Sequence, residues 1–236
     1  MRQALFFLFI LYCFLYNSNS TLAQSKGNFP FIKGSTWIYE GTHKFTSSAG
    51  KGIMEKKVHF TMKVADVINK ENISVAIVEN FPATLRWSDE NIQNTKTLLI
   101  CVGGSKVYSL LDSAQVQKAL NKINDTSGFF AGLVNEGELL FDFPLTKGKV
   151  FGETSQITRS DHHYCWYVEN TKRINLKKIK GANPSKMYNE TNLVFITAPD
   201  TQTLEFVPGI GVTGYSYVHH GTIEELNLKL KEIRLK

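Results

Sequence analysis

Between Val58 and Val64 apolar and polar side chains alternate: Val58, Phe60, Met62 and Val64 against His59, Thr61 and Lys63. That period of two is the mark of a half-buried β-strand. Ile73, Val75 and Ile77 resume it after the polar turn Asn69-Lys70-Glu71-Asn72. Leu98 to Val102 and Val107 to Leu111 flank Gly103-Gly104, a pattern that predicts a hairpin. Further strands are expected over Tyr164–Val168, Ile174/Leu176, Leu193–Ile196, Leu204–Val207 and Val212–Val218, with Pro208-Gly209 turning the chain between the last two. Helical spacing is credible over Ser113 to Ile123, where Val116, Ala119/Leu120 and Ile123 share a face and Asp112 can cap. Phe129 to Val134 adds a turn or a second short helix. In the tail, Thr222 and Glu225 imitate a capping box, yet Leu226, Leu228 and Leu230 alternate after His219-His220-Gly221, which favours a strand.

One segment recurs. Phe29-Pro30-Phe31-Ile32-Lys33-Gly34-Ser35-Thr36-Trp37 and Phe143-Pro144-Leu145-Thr146-Lys147-Gly148-Lys149-Val150-Phe151 share F-P-[FL]-x-K-G-x-x-[WF], 114 residues apart. Pro fixes φ and extends its predecessor, Gly permits a turn, and the aromatic residue anchors the strand that follows. The expected fold class is therefore mainly β. It is an antiparallel β-sandwich or half-barrel with one short helix, built from two related β units, 24–140 and 141–236, that need not be separable domains.

The first 23 residues read as a targeting segment. Arg2 precedes an apolar run of 13 residues, Ala4 to Tyr16, long enough for a signal peptide but short of the ~20 that span a bilayer. Thr21-Leu22-Ala23 places acceptable residues for cleavage after Ala23, and no small residue precedes Cys13, which argues against a lipoprotein cysteine. A secreted or periplasmic protein is expected, with no transmembrane segment in the mature chain. The formal charge of the 236-residue chain is +6, and losing Arg2 with the leader makes it +5. The basic clusters Lys56-Lys57, Lys172-Arg173, Lys177-Lys178-Lys180 and the tail after Leu228 alternate with apolar residues, as outer faces of strands do. No stacking aromatics accompany them, so nucleic acid is not an expected partner.

The candidate chemistry centres on histidine pairs: His162-His163, within Asp161-His162-His163-Tyr164-Cys165-Trp166, and His219-His220. Imidazole and thiolate are good zinc or copper ligands, and on a strand His163 and Cys165 would share one face. Adjacent histidines on a strand point apart, so each pair offers one ligand per side, and neither metal nor cofactor is expected. No G-x-S-x-G is present, and Ser105 lies in a hairpin turn. Gly209-Ile210-Gly211 with Gly214 spells G-x-G-x-x-G but leads into a strand, the wrong context for a dinucleotide site. Asp161, Glu169, Glu224 and Glu225 have no evident pairing. Cys101 and Cys165, in separate predicted strands, are candidates for a disulfide or for two buried thiols. Asn72, Asn124 and Asn189 open glycosylation sequons.

The run Phe29-Pro30 through Gly34-Ser35-Thr36-Trp37-Ile38-Tyr39, with Val207-Pro208-Gly209-Ile210-Gly211-Val212 and Tyr217-Val218-His219-His220-Gly221-Thr222, resembles a loose group of secreted or periplasmic bacterial β-rich proteins. They carry a P-L-x-x-G-x-x-W-x-Y entry and a late P-G-[IV]-G-x-V turn. The resemblance implies export and an antiparallel fold; it transfers no catalytic residue. The leading expectation is a non-enzymatic binding or envelope-associated module for an apolar ligand, a lipid or a protein partner. The alternatives are an exported hydrolase or metal-dependent enzyme using His162/His163 and His219/His220, and a purely structural envelope module.

Overall fold

The computed structural model describes residues 29–47, 52–70, 72–87, 92–110, 113–122 and 128–236. The signal-peptide expectation, Asp112, Ile123 and the Asn124 sequon lie outside them. Among the described residues there are fourteen strands: β1 (Thr36–Thr46), β2 (Ile53–Lys70), β3 (Ile73–Glu79), β4 (Arg86–Trp87), β5 (Ile92–Gln93), β6 (Lys96–Val102), β7 (Lys106–Leu110), β8 (Glu138–Asp142), β9 (Val150–Gly152), β10 (Cys165–Asn175), β11 (Met187–Ile196), β12 (Asp200–Val207), β13 (Gly211–His219) and β14 (Glu224–Arg234). Two helices, α1 (Ser113–Lys122) and α2 (Gly128–Glu136), separate β7 from β8.

Twelve strands form one antiparallel sheet in the order β8-β7-β6-β3-β2-β1-β14-β13-β12-β11-β10-β9; β4 and β5 pair separately. The end strands approach each other, and the Lys149 amine lies 3.3 Å from the Asp142 carboxylate, so the sheet nearly closes into a barrel. β1 and β14, far apart in sequence, pair at its centre from Thr36↔Arg234 to Phe45↔Glu224.

Inward-facing side chains fill the barrel. Phe29, Phe81, Phe141, Phe143 and Phe206 interlock with ring centroids 4.8 to 6.5 Å apart, within the range of favourable aromatic pairs. Trp37 and Tyr39 are fully buried and donate across the core, Nε1 to Ile210 O and the hydroxyl to Val212 O, both at 2.7 Å. A second core lies on the other face of β3, β6 and β7, where Val116 and Ala119 of α1 and Leu133 of α2 cover Val75, Leu98, Ile100 and Leu110. β6 is thus buried on both faces, which explains why its sequence is a continuous apolar run instead of an alternation. Of the turn or second short helix expected over Phe129 to Val134, the structure forms the helix, α2, whose Leu133 shares with α1 the covering of β6 and β7.

The two F-P entry segments adopt the same local geometry. Gly34 and Gly148 both have φ of 83°, which only glycine adopts without strain. Gly34 N–H donates to Val64 O and Val64 N–H to Ser35 O; likewise Gly148 N–H donates to Val168 O and Val168 N–H to Lys149 O. The register breaks just beyond, between Val64 and Asp66 against β3 and between Val168 and Asn170 against β11. The sheet order places six strands on each side of the β1–β14 junction, β1 and β14 included. β8 runs through Leu140 to Asp142.

Candidate functional site

Alternation sends every second side chain of β14, β1 and β2 outward, and register lines those residues up in rows. One row is Asn227–Thr42–Lys57 and the next Lys229–Glu40–His59. With Lys231 they line a polar groove of about 630 Å³, all of these side chains being exposed. Glu40 stands between Lys229 and His59 in register, its carboxylate 3.8 Å from His59 Nδ1. Lys229 is held from outside by Glu205, at 2.6 Å. Lys57 and Lys231 make no ion pair among the described residues. Gly41 lies in the floor: a Cβ there would sit 1.8 Å from Asn227 O, so only glycine lets β14 approach so closely.

A second polar cluster lies on the inward face, at one end of the barrel. Its row is Asp200–His219–Glu224–Phe45. Asp200 Oδ1 lies 2.7 Å from His219 Nδ1 and accepts the Tyr217 hydroxyl at 2.7 Å. Burial pushes the Asp200 carboxyl up, but the hydrogen bonds from His219 and Tyr217 outweigh it and hold the group below the usual carboxylate range. Burial, then the adjacent Asp200, pushes Tyr217 well up. His43 stacks on Phe45 with centroids 4.8 Å apart, and its Nε2 is 3.7 Å from Glu224. An ionised Asp200 fixes His219 as an Nδ1–H donor, which leaves Nε2 as the basic atom. The turn after β13 covers that atom, for a Cβ on Gly221 would lie 2.8 Å from it.

The histidine pairs are not brought together. His162 and His163 fall in a turn-rich loop and not on a strand, because His162 and Tyr164 take left-handed φ of 54° and 62° and β10 begins only at Cys165. The Asp161 carboxylate organises that loop, binding the Arg159 guanidinium through both oxygens and accepting from His163 N–H. His162 stacks on Tyr167, and His220 Nε2 lies 3.0 Å from the Thr201 hydroxyl. Among the described residues no three His, Cys, Asp or Glu side chains converge as metal ligands. Cys101 and Cys165 are buried free thiols, and burial pushes both above the ordinary thiol range, the reverse of an activated nucleophile. Of the unpaired carboxylates, Glu169 binds Asn192, Glu224 approaches His43, and Glu225 pairs with Lys44.

The groove residues escaped sequence reasoning as a site, although Lys57 and the basic tail carried its signal. What was missing was that the tail strand pairs with β1, 190 or so positions away by register. Asp200 carried no signal, and Tyr217 entered only as part of the Tyr217–Thr222 run.

The fold and its sites define a mainly antiparallel β protein of nearly closed barrel form. No family model matches the chain and no curated protein does. Among solved structures it is similar to a presumed exported protein with a YmcC-like fold from Bacteroides fragilis, at 11% identity and a TM-score of 0.44, covering 88% of this chain and 99% of that one. It is also similar to a presumed lipoprotein from Parabacteroides distasonis, at 10% identity and a TM-score of 0.38, covering 87% and 97%.

Proposed function

We propose that the protein is an exported, non-enzymatic binding module, cleaved near Ala23, that takes a polar ligand in the groove over β14, β1 and β2. One observation carries this reading: an open concavity of about 630 Å³ over these strands is lined, apart from Gly41 and Val58, by polar and charged side chains, whereas interlocked phenylalanines occupy the barrel centre. A cleft of about 70 Å³ beside Trp166 and Phe195 is too small for a lipid chain. The barrel is then a rigid frame of two related six-strand units, an idea supported by the matching turns at Gly34 and Gly148. Native mass spectrometry of protein taken from its own compartment tests the reading. A polar adduct is expected on the wild type and absent from a Lys57→Gln/Lys231→Gln variant. A lipid or stoichiometric metal indifferent to those substitutions overturns it.

A second reading rests on the Asp200–His219 contact at 2.7 Å, the arrangement that orients an imidazole as a general base. Under it the protein is an exported enzyme that uses His219 of the His219/His220 pair. Loss of an activity in His219→Asn, with the fold retained, is the result that would favour it over the binding module.

A further inference from the structure

We propose that the groove binds an acidic polysaccharide, a chain of sugars bearing both hydroxyl and carboxylate groups. The inference rests on the groove being the ligand site and adds the chemical class of its occupant. Two exposed cations that make no ion pair among the described residues, Lys57 on β2 and Lys231 on β14, stand on either side of β1. Register offsets them along the strands as well, because Lys57 faces Thr42, whose partner on β14 is Asn227, four residues short of Lys231. They stand well over ~10 Å apart by ~4.8 Å strand spacing and ~3.3 Å rise per residue, so no single small anion satisfies both. An extended ligand with separated negative charges does.

Glu40 narrows the class further. Its carboxylate lies on the middle strand, directly between Lys229 and His59 in register. A ligand made only of acceptors, such as phosphate or polyphosphate, would bring like charge onto it, and like charges brought close destabilise binding. A saccharide hydroxyl instead donates to Glu40, while Thr42 and Asn227 supply further hydrogen-bonding groups in the same rows. No apolar side chain other than Val58 lines the groove, so it lacks the pockets that give peptide recognition its specificity. The charge pattern of plus, minus, plus across β2, β1 and β14 therefore matches carboxylates at the flanks and hydroxyls at the centre.

Isothermal titration at low ionic strength tests this with a galacturonate trimer, maltotriose and inorganic phosphate as probes. The trimer is expected to bind, and maltotriose and phosphate to bind far more weakly. Lys57→Gln/Lys231→Gln should weaken trimer binding about five- to tenfold, the scale of two exposed charge contacts, with melting unchanged because both side chains are exposed. Glu40→Gln should weaken trimer binding and strengthen phosphate binding. Phosphate binding as tightly as the trimer, or Glu40→Gln strengthening both, overturns the saccharide class. If the trimer failed to bind while the lysine variant still lost the adduct from the native compartment, the groove would stand and the saccharide class would fall. Trimer binding unaffected by the lysine variant would reject the groove itself.

Discussion

Glu205 and Lys229 form an ion pair at 2.6 Å across a strand that lies between them. They sit on β12 and β14, and the residue of β13 in register with both is Gly214. The pair meets above it: a Cβ on Gly214 would lie 2.3 Å from Glu205 Oε2 and 3.2 Å from Lys229 Nζ. By leaving room for this pair, Gly214 lets the outer rim of the groove be tied to β12, two strands away in the same sheet.

Gly214→Ala should separate this pair at little cost in stability. The atoms displaced are the ends of flexible side chains, and an exposed ion pair contributes about 0–1 kcal/mol. Urea unfolding should show a change within that range. Lys229 would then turn toward the groove, and anionic probes should bind a few times more tightly than to the wild type.

Gly181→Ala should be far more damaging. Gly181 has φ of 88°, and a Cβ there would lie 1.9 Å from the backbone oxygen of Ile233. The β10–β11 connection is fastened to β14 at this point, Lys180 N–H donating to Lys231 O and Ile233 N–H to Lys180 O. A clash with backbone cannot be relieved by a rotamer change, so a loss of about 2–4 kcal/mol is expected on urea unfolding. Amide exchange should quicken first at Lys180 and Ile233.

Tyr39→Phe should cost about 1–2 kcal/mol although it removes a single oxygen. The hydroxyl is fully buried and donates to Val212 O, and its loss removes that hydrogen bond from the core. Burial pushes the Tyr39 hydroxyl well above the ordinary range, so it remains a neutral donor throughout the stable pH range. An equal melting temperature for the variant and the wild type would contradict this account.

Asp200 should make stability sensitive to acid. Its folded-state carboxyl lies below the ordinary value of about 3.9, burial being outweighed by His219 and Tyr217. A lowered group contributes stability above its unfolded pKa and loses it as pH falls through the folded value. Asp200→Asn should therefore be less stable than the wild type near neutrality, with the gap closing as pH falls below the ordinary carboxylate value and through the lowered folded one. A gap that stayed constant with pH would show that Asp200 acts by packing alone.

The alternation from Val58 to Val64 and the leucines of the tail sufficed to specify β2 and β14, since facing core and solvent in turn is a local property of neighbouring residues. The Gly103-Gly104 and Pro208-Gly209 turns were equally legible, because left-handed φ at Gly103, Gly104 and Gly209 is a local demand. The helix count was less so: the face of α1 reads from Val116 and Ala119, but α2 owes its place to a sheet face exposed by β6 and β7. Strand order lay beyond the sequence. The Lys56-Lys57 cluster and the basic tail were visible as charge, yet nothing local in either announces that β1 will bring them together. His219 could be singled out as a histidine, but its partner Asp200 and the groove's central Glu40 acquire meaning only from register across the sheet. Register is set by the sum of inward-facing contacts around the whole barrel, and that sum exists only in the folded chain.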